Sequence, residues 1–291
     1  MIKSVQIDNL RLLDAALASR CDRVRVGSEF CEQLLPTDAA LERAYAAVRD
    51  AGKPFVYVTP RLSVSGMQRV AAQLAALESW GGATVVANDY GTLNVLARHP
   101  GLTPHLGRHL VRVPDRSPWA EGLVHDKELT PKQQRWLTNL YAVTSLNYAP
   151  TLAFYRERGV QRVDLDWAPR VAPALDELVA GGLQLSVLLQ FVPATMTRKC
   201  HMARFLGEES HERCSRPCQR RAFMLKSEIL KAAGLRLFLV GNAVFREEPA
   251  TPEGVADLAA RGVSEVVVPM GSLTRLETAE QVDAYYQALG L

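Results

Sequence analysis

The segment RKCHMARFLGEESHERCSRPCQRR, Arg198 to Arg221, holds three of the chain's five cysteines in the spacing C-x13-C-x3-C: Cys200, Cys214 and Cys218. It also carries His201, His211 and seven Lys or Arg residues. Thiolates this close together are ligands for zinc or for an iron–sulfur cluster. Three of them complete neither site, because structural zinc takes four ligands and a [4Fe–4S] cluster takes four thiolates. The fourth must come from Cys21, Cys31 or a histidine. A paired CxxC…CxxC plan, which would point to a zinc ribbon, is absent. The favoured reading is a [4Fe–4S] cluster with one distant cysteine. Zinc held by the three cysteines with His201 or His211 is the alternative.

Which cysteine completes the set depends on the elements that carry it. Short β-branched runs alternate with amphipathic stretches along the whole chain. Strands are expected over 22–27, 53–60, 83–89, 109–113, 142–147, 160–167, 183–192, 235–240 and 264–269, with helices between most of them. Such alternation implies parallel pairing through right-handed crossovers. The repeat count and the length of 291 residues favour an α/β, TIM-like (β/α) barrel, a single domain over residues 1–291, with an open doubly wound sheet as runner-up. Two stretches break the rhythm: a polar insertion over 114–130 and a cysteine-bearing loop over about 193–223. Loops of that length are usually functional or disordered, and metal ligation would fold the cysteine-bearing one. Cys31 lies four residues past the strand DRVRVG, at the end of the barrel where loops converge. The loop after LQLSVLLQFV leaves by the same end, so Cys31 is expected to meet Cys200, Cys214 and Cys218. Cys21 precedes its strand and is expected at the opposite end.

Other polar residues are expected at the barrel mouth. Asn88 and Asp89 end one strand, Asn147 ends another and Asn242 follows LFLVG. Asn88, Asn147, Asn242 and Arg204 are candidate substrate-binding residues, with helix capping the competing role for the asparagines and Asp89. Arg198, Lys199, Arg204 and Arg216 suit a bound dicarboxylate, the negative charge of a cluster or a solvated surface. Bulk properties narrow the classes. Hydrophobic content of 48% and charged content of 22% belong to a globular chain. A net charge of +3 does not by itself support nucleic-acid binding. No apolar run reaches the length of a membrane span, and the first 24 residues lack a signal-peptide plan, so a cytoplasmic protein is expected. Disulfides are uncommon there, which again turns clustered cysteines towards metal. No Ser–His–Asp order, H-E-x-x-H or dinucleotide glycine pattern is present, so neither protease nor nucleotide chemistry is indicated.

Four segments in order, RVGSEFC, VVANDYGTLNVL, SLNYAPTLAFYRERGVQRVDL and RKCHMARF…CSRPC, resemble the U32 (collagenase-like) peptidase family. The pattern is most similar to its UbiU/UbiV-like, ubiquinone-biosynthesis branch, and it covers nearly the whole chain. The resemblance implies a barrel-like fold and an oxygen-sensitive [4Fe–4S] cluster on Cys31, Cys200, Cys214 and Cys218. It further implies oxygen-independent hydroxylation of an aromatic or quinone-precursor substrate, with prephenate as oxygen donor and a homologous subunit as heterodimer partner. Hydroxylation of an RNA base is an alternative within the family. The chain departs from the family pattern in two places. DLDWAPR has no Glu, leaving Asp164 or Asp166 in that neighbourhood, and Gln190 and Phe191 stand where many members have Gly-His. These departures imply, as another alternative, a non-catalytic cluster-binding partner subunit.

Overall fold

The structure is a computed structural model that describes residues 1–208 and 213–291. His211, the alternative zinc ligand, lies outside the described residues.

Eight strands close into a barrel: β1 (Ile2–Ile7), β2 (Arg23–Gly27), β3 (Phe55–Thr59), β4 (Thr84–Ala87), β5 (Thr103–Leu106), β6 (Arg162–Asp166), β7 (Gln184–Leu188) and β12 (Glu265–Pro269). Every pairing around the ring is parallel, and β12 closes it by lying between β7 and β1. This is a TIM barrel. The helix Asp38–Asp50 shows how the outer layer attaches. Leu41, Ala44, Tyr45 and Val48 recur at helical spacing and all are buried. Each large side chain so covered contributes roughly 1.5–3 kcal/mol of burial. Caps define the helix starts: Ser63 accepts the Gly66 N–H, and Thr278 forms a capping box with Gln281.

Strand alternation divides the residues between two cores. Val24, Val26, Phe55, Tyr57 and Val85 face the helices and join the main apolar cluster. The other face of each strand fills the barrel. On one side of the lumen Val56, Val58 and Val86 make a small apolar cluster. Opposite them the lumen is charged. Arg25 pairs with Asp164, His105 Nε2 lies 2.8 Å from Asp164, and Ser4, Ser186 and Arg23 surround Glu265.

The remaining four strands, β8 (Gln190–Met196), β9 (Phe223–Leu225), β10 (Leu237–Val240) and β11 (Ala243–Glu248), form a separate antiparallel sheet in the order β8-β11-β10-β9. Only Leu189 separates β7 from β8. The corner is turned by Gln190 at φ 74°, a left-handed conformation rare outside glycine.

The structure corrects several expected elements. The run 109–113 is not a strand: Arg108–Leu110 is a 3-10 turn, and the barrel strand is the preceding TPHL, β5. Residues 142–147 end in a 3-10 turn at Ser145–Asn147 rather than forming a strand. LQLSVLLQFV is two strands in two sheets, and LRLFLV belongs to the antiparallel sheet instead of the barrel. β1 is absent from the expected strands, although its buried Ser4 and Gln6 alternate with Val5 and Ile7 as a barrel strand requires. The cysteine-bearing loop is the first part of a longer insertion that reaches Glu248.

Candidate functional site

The four cysteines occupy the C-terminal mouth of the barrel, carried by two segments that the fold brings together. β2 ends at Gly27, whose φ is +128°; a Cβ there would collide with the Val58 carbonyl oxygen. Only glycine lets the chain turn so close to β3. The Ser28 hydroxyl then accepts the N–H groups of Phe30 and Cys31 at 3.3 and 3.2 Å, which fixes the loop that presents Cys31. Cys200 caps the helix His201–Phe205, its sulfur accepting the Ala203 N–H at 3.3 Å. The Cys214 sulfur accepts the Arg216 N–H at 3.4 Å, and Arg216 itself is left-handed at φ 58°. Cys218 is buried in the 3-10 turn Pro217–Gln219, and its carbonyl accepts the Ser272 hydroxyl.

Two side chains anchor these segments. Asn242, between β10 and β11, donates to the carbonyls of Phe30 and Thr197, both at 2.8 Å. It thereby ties the Cys31 loop to the approach to Cys200. Gln219 donates to the Asp8 carbonyl at 2.7 Å and anchors the Cys218 turn to the end of β1. Leu34, Met202 and Cys218 form a buried cluster against which Cys31, Cys200, Phe223 and Val240 pack. All four thiols feel one another electrostatically. Burial, with the neighbouring thiols adding to it, pushes Cys31 up to about 11 and raises Cys218 further. No disulfide joins any of the five cysteines. Among the described residues no three His, Cys, Asp or Glu side chains converge tightly enough to hold a single metal ion. Cys21 is buried at the other end of the barrel, its thiol against the Ala16 carbonyl.

A chamber of about 90 Å³ opens beside Cys31 and Cys218. Its apolar wall includes Leu34, Phe191, Phe245 and Met270, and its polar wall Gln6, Asp8, Glu29 and Arg108. Arg108 is fully paired. Its Nε donates to Glu29 at 2.7 Å, its Nη1 donates to Asp166 at 2.8 Å and to the Phe191 carbonyl, and Arg116 holds the other Asp166 oxygen. Gln6 donates to Glu29 at 2.7 Å. Burial pushes the Asp8 carboxyl up to about 6; its backbone hydrogen bond opposes this and Glu29 reinforces it. A second cavity of about 320 Å³ lies on the other side of Cys31 and Asn242, lined also by Arg61 and Arg198.

Of the candidate substrate residues, only Asn242 lines the chamber. Asn88 is buried beneath the mouth, donating to the Thr59 carbonyl and accepting the His109 N–H. A Cβ on Gly107 would collide with the Asn88 amide, so the glycine makes room for that packing. Asn147 caps its own 3-10 turn and reaches Glu177, away from the mouth, because the strand expected to end there does not form. Asp89 caps the helix Tyr90–Leu96. Arg204 is exposed on the outside of the insertion. Asp8 and Arg108 belong to no motif, and Glu29 falls within RVGSEFC without being singled out there. Their one signal is position, since Asp8 and Glu29 closely follow β1 and β2 and Arg108 closely follows β5.

No protein family model and no curated protein matches the chain. Among solved structures it is similar to the dihydropteroate synthase of Thermus thermophilus, at 15% identity and a TM-score of 0.44, covering 99% of this chain and 92% of that one. It is also similar to the D-psicose 3-epimerase of Clostridium cellulolyticum, at 10% identity and a TM-score of 0.41, covering 99% and 96%. The U32 peptidase Mk0906 matches at 13% identity and a TM-score of 0.43, covering 94% of each chain. Likenesses this distant do not bear on chemistry, which rests on the residues of the site.

Proposed function

We propose that the chain binds a [4Fe–4S] cluster through Cys31, Cys200, Cys214 and Cys218 and supports oxygen-independent hydroxylation of a small aromatic or quinone-precursor substrate, with prephenate as oxygen donor. The observation that carries the reading is that Cys31 packs with Cys200 and Cys218 of a distant segment in one apolar cluster beside the chamber, with Cys214 on the same distant segment. The donor set suits such a group: Cys31, Cys200 and Cys218 sit in an apolar surround, and Cys200 and Cys214 already accept backbone N–H bonds of the kind that tune cluster potential. When bound, the cluster would supply redox or Lewis-acid chemistry at the chamber wall. The chain's own residues do the rest. Phe191, Phe245, Leu34 and Met270 receive a ring and exclude water. Arg108, held rigid and neutralised by Glu29 and Asp166, fixes the shape of the chamber's polar wall. Asp8 can hold or release a proton at its carboxyl near neutral pH.

One observation favours the second reading, a non-catalytic partner of a homologous U32-family subunit. Asp164 and Asp166, the carboxylates nearest the family's Glu, are both locked by arginines, Asp164 to Arg25 and Asp166 to Arg108 and Arg116. Anaerobic purification with iron, sulfide and zinc counts and an absorption spectrum tests the cluster. Four irons and four sulfides per chain, lost on Cys31→Ala, are expected. Stoichiometric zinc without sulfide would reject the cluster. Turnover by the isolated chain would separate the enzyme from the partner.

A further inference from the structure

The net charge of +3 conceals a strongly uneven distribution. Residues 198–236 carry ten Lys or Arg and four Glu, a net +6, so the rest of the chain is at −3. The excess sits on the outer surface of the insertion that bears three of the four site cysteines. Arg204, Arg220, Arg221, Lys226 and Lys231 are all exposed, and none is ion-paired within the described residues. Between them stand apolar side chains that nothing covers. Phe205 is 74% exposed, Ile229 70% and Met224 45%. Phe205 packs edge-on against Phe223 on one face of β9 and Met224 projects from the other, so the apolar side chains wrap around the outer strand. β9 is an outer strand of its sheet, and a groove of about 440 Å³ runs between it and the next helix, with Lys226, Lys231 and Glu228 on its walls.

An apolar centre with a charged rim is the anatomy of a protein interface. A rim of one sign selects a partner of the opposite sign and steers its approach. Phe205 offers a face on which a base could stack, but Ile229 and Met224 do not, and a mixed aliphatic and aromatic centre has the composition of a protein interface, so RNA is kept as an outcome of the test. Phe223, which Phe205 covers, packs on the same apolar cluster as Cys31, Cys200 and Cys218, so a carrier docked here stands close to the cysteines. We propose that this basic collar docks an acidic one-electron carrier protein of the ferredoxin type, an inference that rests on the cluster reading for the carrier's identity but not for the docking.

The test is calorimetric titration of the anaerobically purified protein with a plant-type [2Fe–2S] ferredoxin. Saturable 1:1 binding is expected, weakening by about tenfold or more as NaCl rises from about 50 to about 300 mM. Arg220→Glu with Arg221→Glu should weaken it by at least about tenfold. Arg49→Glu with Arg98→Glu, at the far end of the barrel, should leave it within about twofold. Phe205→Ser, which changes no charge, should weaken binding at every salt concentration. Unchanged thermal unfolding of each variant shows that the fold survives. Absence of ferredoxin binding by iron-loaded protein overturns the proposal. So does an equal loss in the two double variants, or binding of a single-stranded RNA oligomer but not the ferredoxin. Ferredoxin binding at the collar by protein that holds no iron supports the docking and rejects the cluster reading alone.

Discussion

Arg25 and Asp164 are both completely buried inside the barrel, and neither can be hydrated if the other is removed. Asp164→Asn is expected to destabilise the protein by about 3–5 kcal/mol, because it removes the carboxylate hydrogen-bonded to Arg25 and leaves only the longer contact to Glu265 at 3.9 Å. Chemical denaturation measures this, and replacing both residues by apolar ones should cost less than the single change. The same pair sets the response to acid. The charges of Arg25 and His105 overcome burial and hold the Asp164 carboxyl well below the usual carboxylate range, and Glu265 is lowered likewise by Arg25 and Arg23. Groups depressed on folding stabilise above their unfolded pKa values and lose that contribution as pH falls through the folded ones. Unfolding midpoints should therefore be insensitive to these groups above about pH 5 and fall steeply below about pH 4. A flat profile down to about pH 2 would exclude this role. Asn242 gives a residue-scale prediction for the site. Asn242→Ala deletes both hydrogen bonds that tie the cysteine segments together and should cost about 1–3 kcal/mol. Iron per chain should fall while the far-UV spectrum stays unchanged.

Elements differ in how clearly they announce themselves. The helix Asp38–Asp50 and the strands β2, β3, β4, β6 and β12 are legible because β-branched runs and helical spacing are local signals. β5 is not, since TPHL is four residues long and contains a proline, while the neighbouring HLVRV imitates a strand by burying Val111 and Val113 under a loop. The position of Cys31 can be inferred because a loop after a barrel strand has one destination. Glu29 and Arg108 cannot be paired in advance, because two charges separated by 79 residues have no spacing signature. The Asn147 expectation fails with the strand it depends on. At this scale Gly27 is the sensitive point. Gly27→Ala meets both a positive φ and a backbone oxygen, so it should lower the melting temperature by several degrees and displace the Cys31 loop. Reduced iron content alongside the lower melting temperature would be the combined signature.

Across the whole molecule, four cysteines share one end of the barrel and the fifth lies at the other. Differential alkylation read by mass spectrometry should show Cys31, Cys200, Cys214 and Cys218 protected together on iron loading. Cys21 should be equally inert in both states and serves as an internal control. Protection of three without the fourth would redraw the ligand set. The antiparallel sheet has its own consequence. Gln190, where the chain leaves the barrel, is paired in register with Glu248, where it comes back. Departure and return are thus side by side, and no barrel pairing depends on what lies between. Such a join lets a cap be exchanged, lengthened or lost over generations while the base beneath it keeps folding, so lineages sharing this base can diverge in chemistry by replacing one cassette.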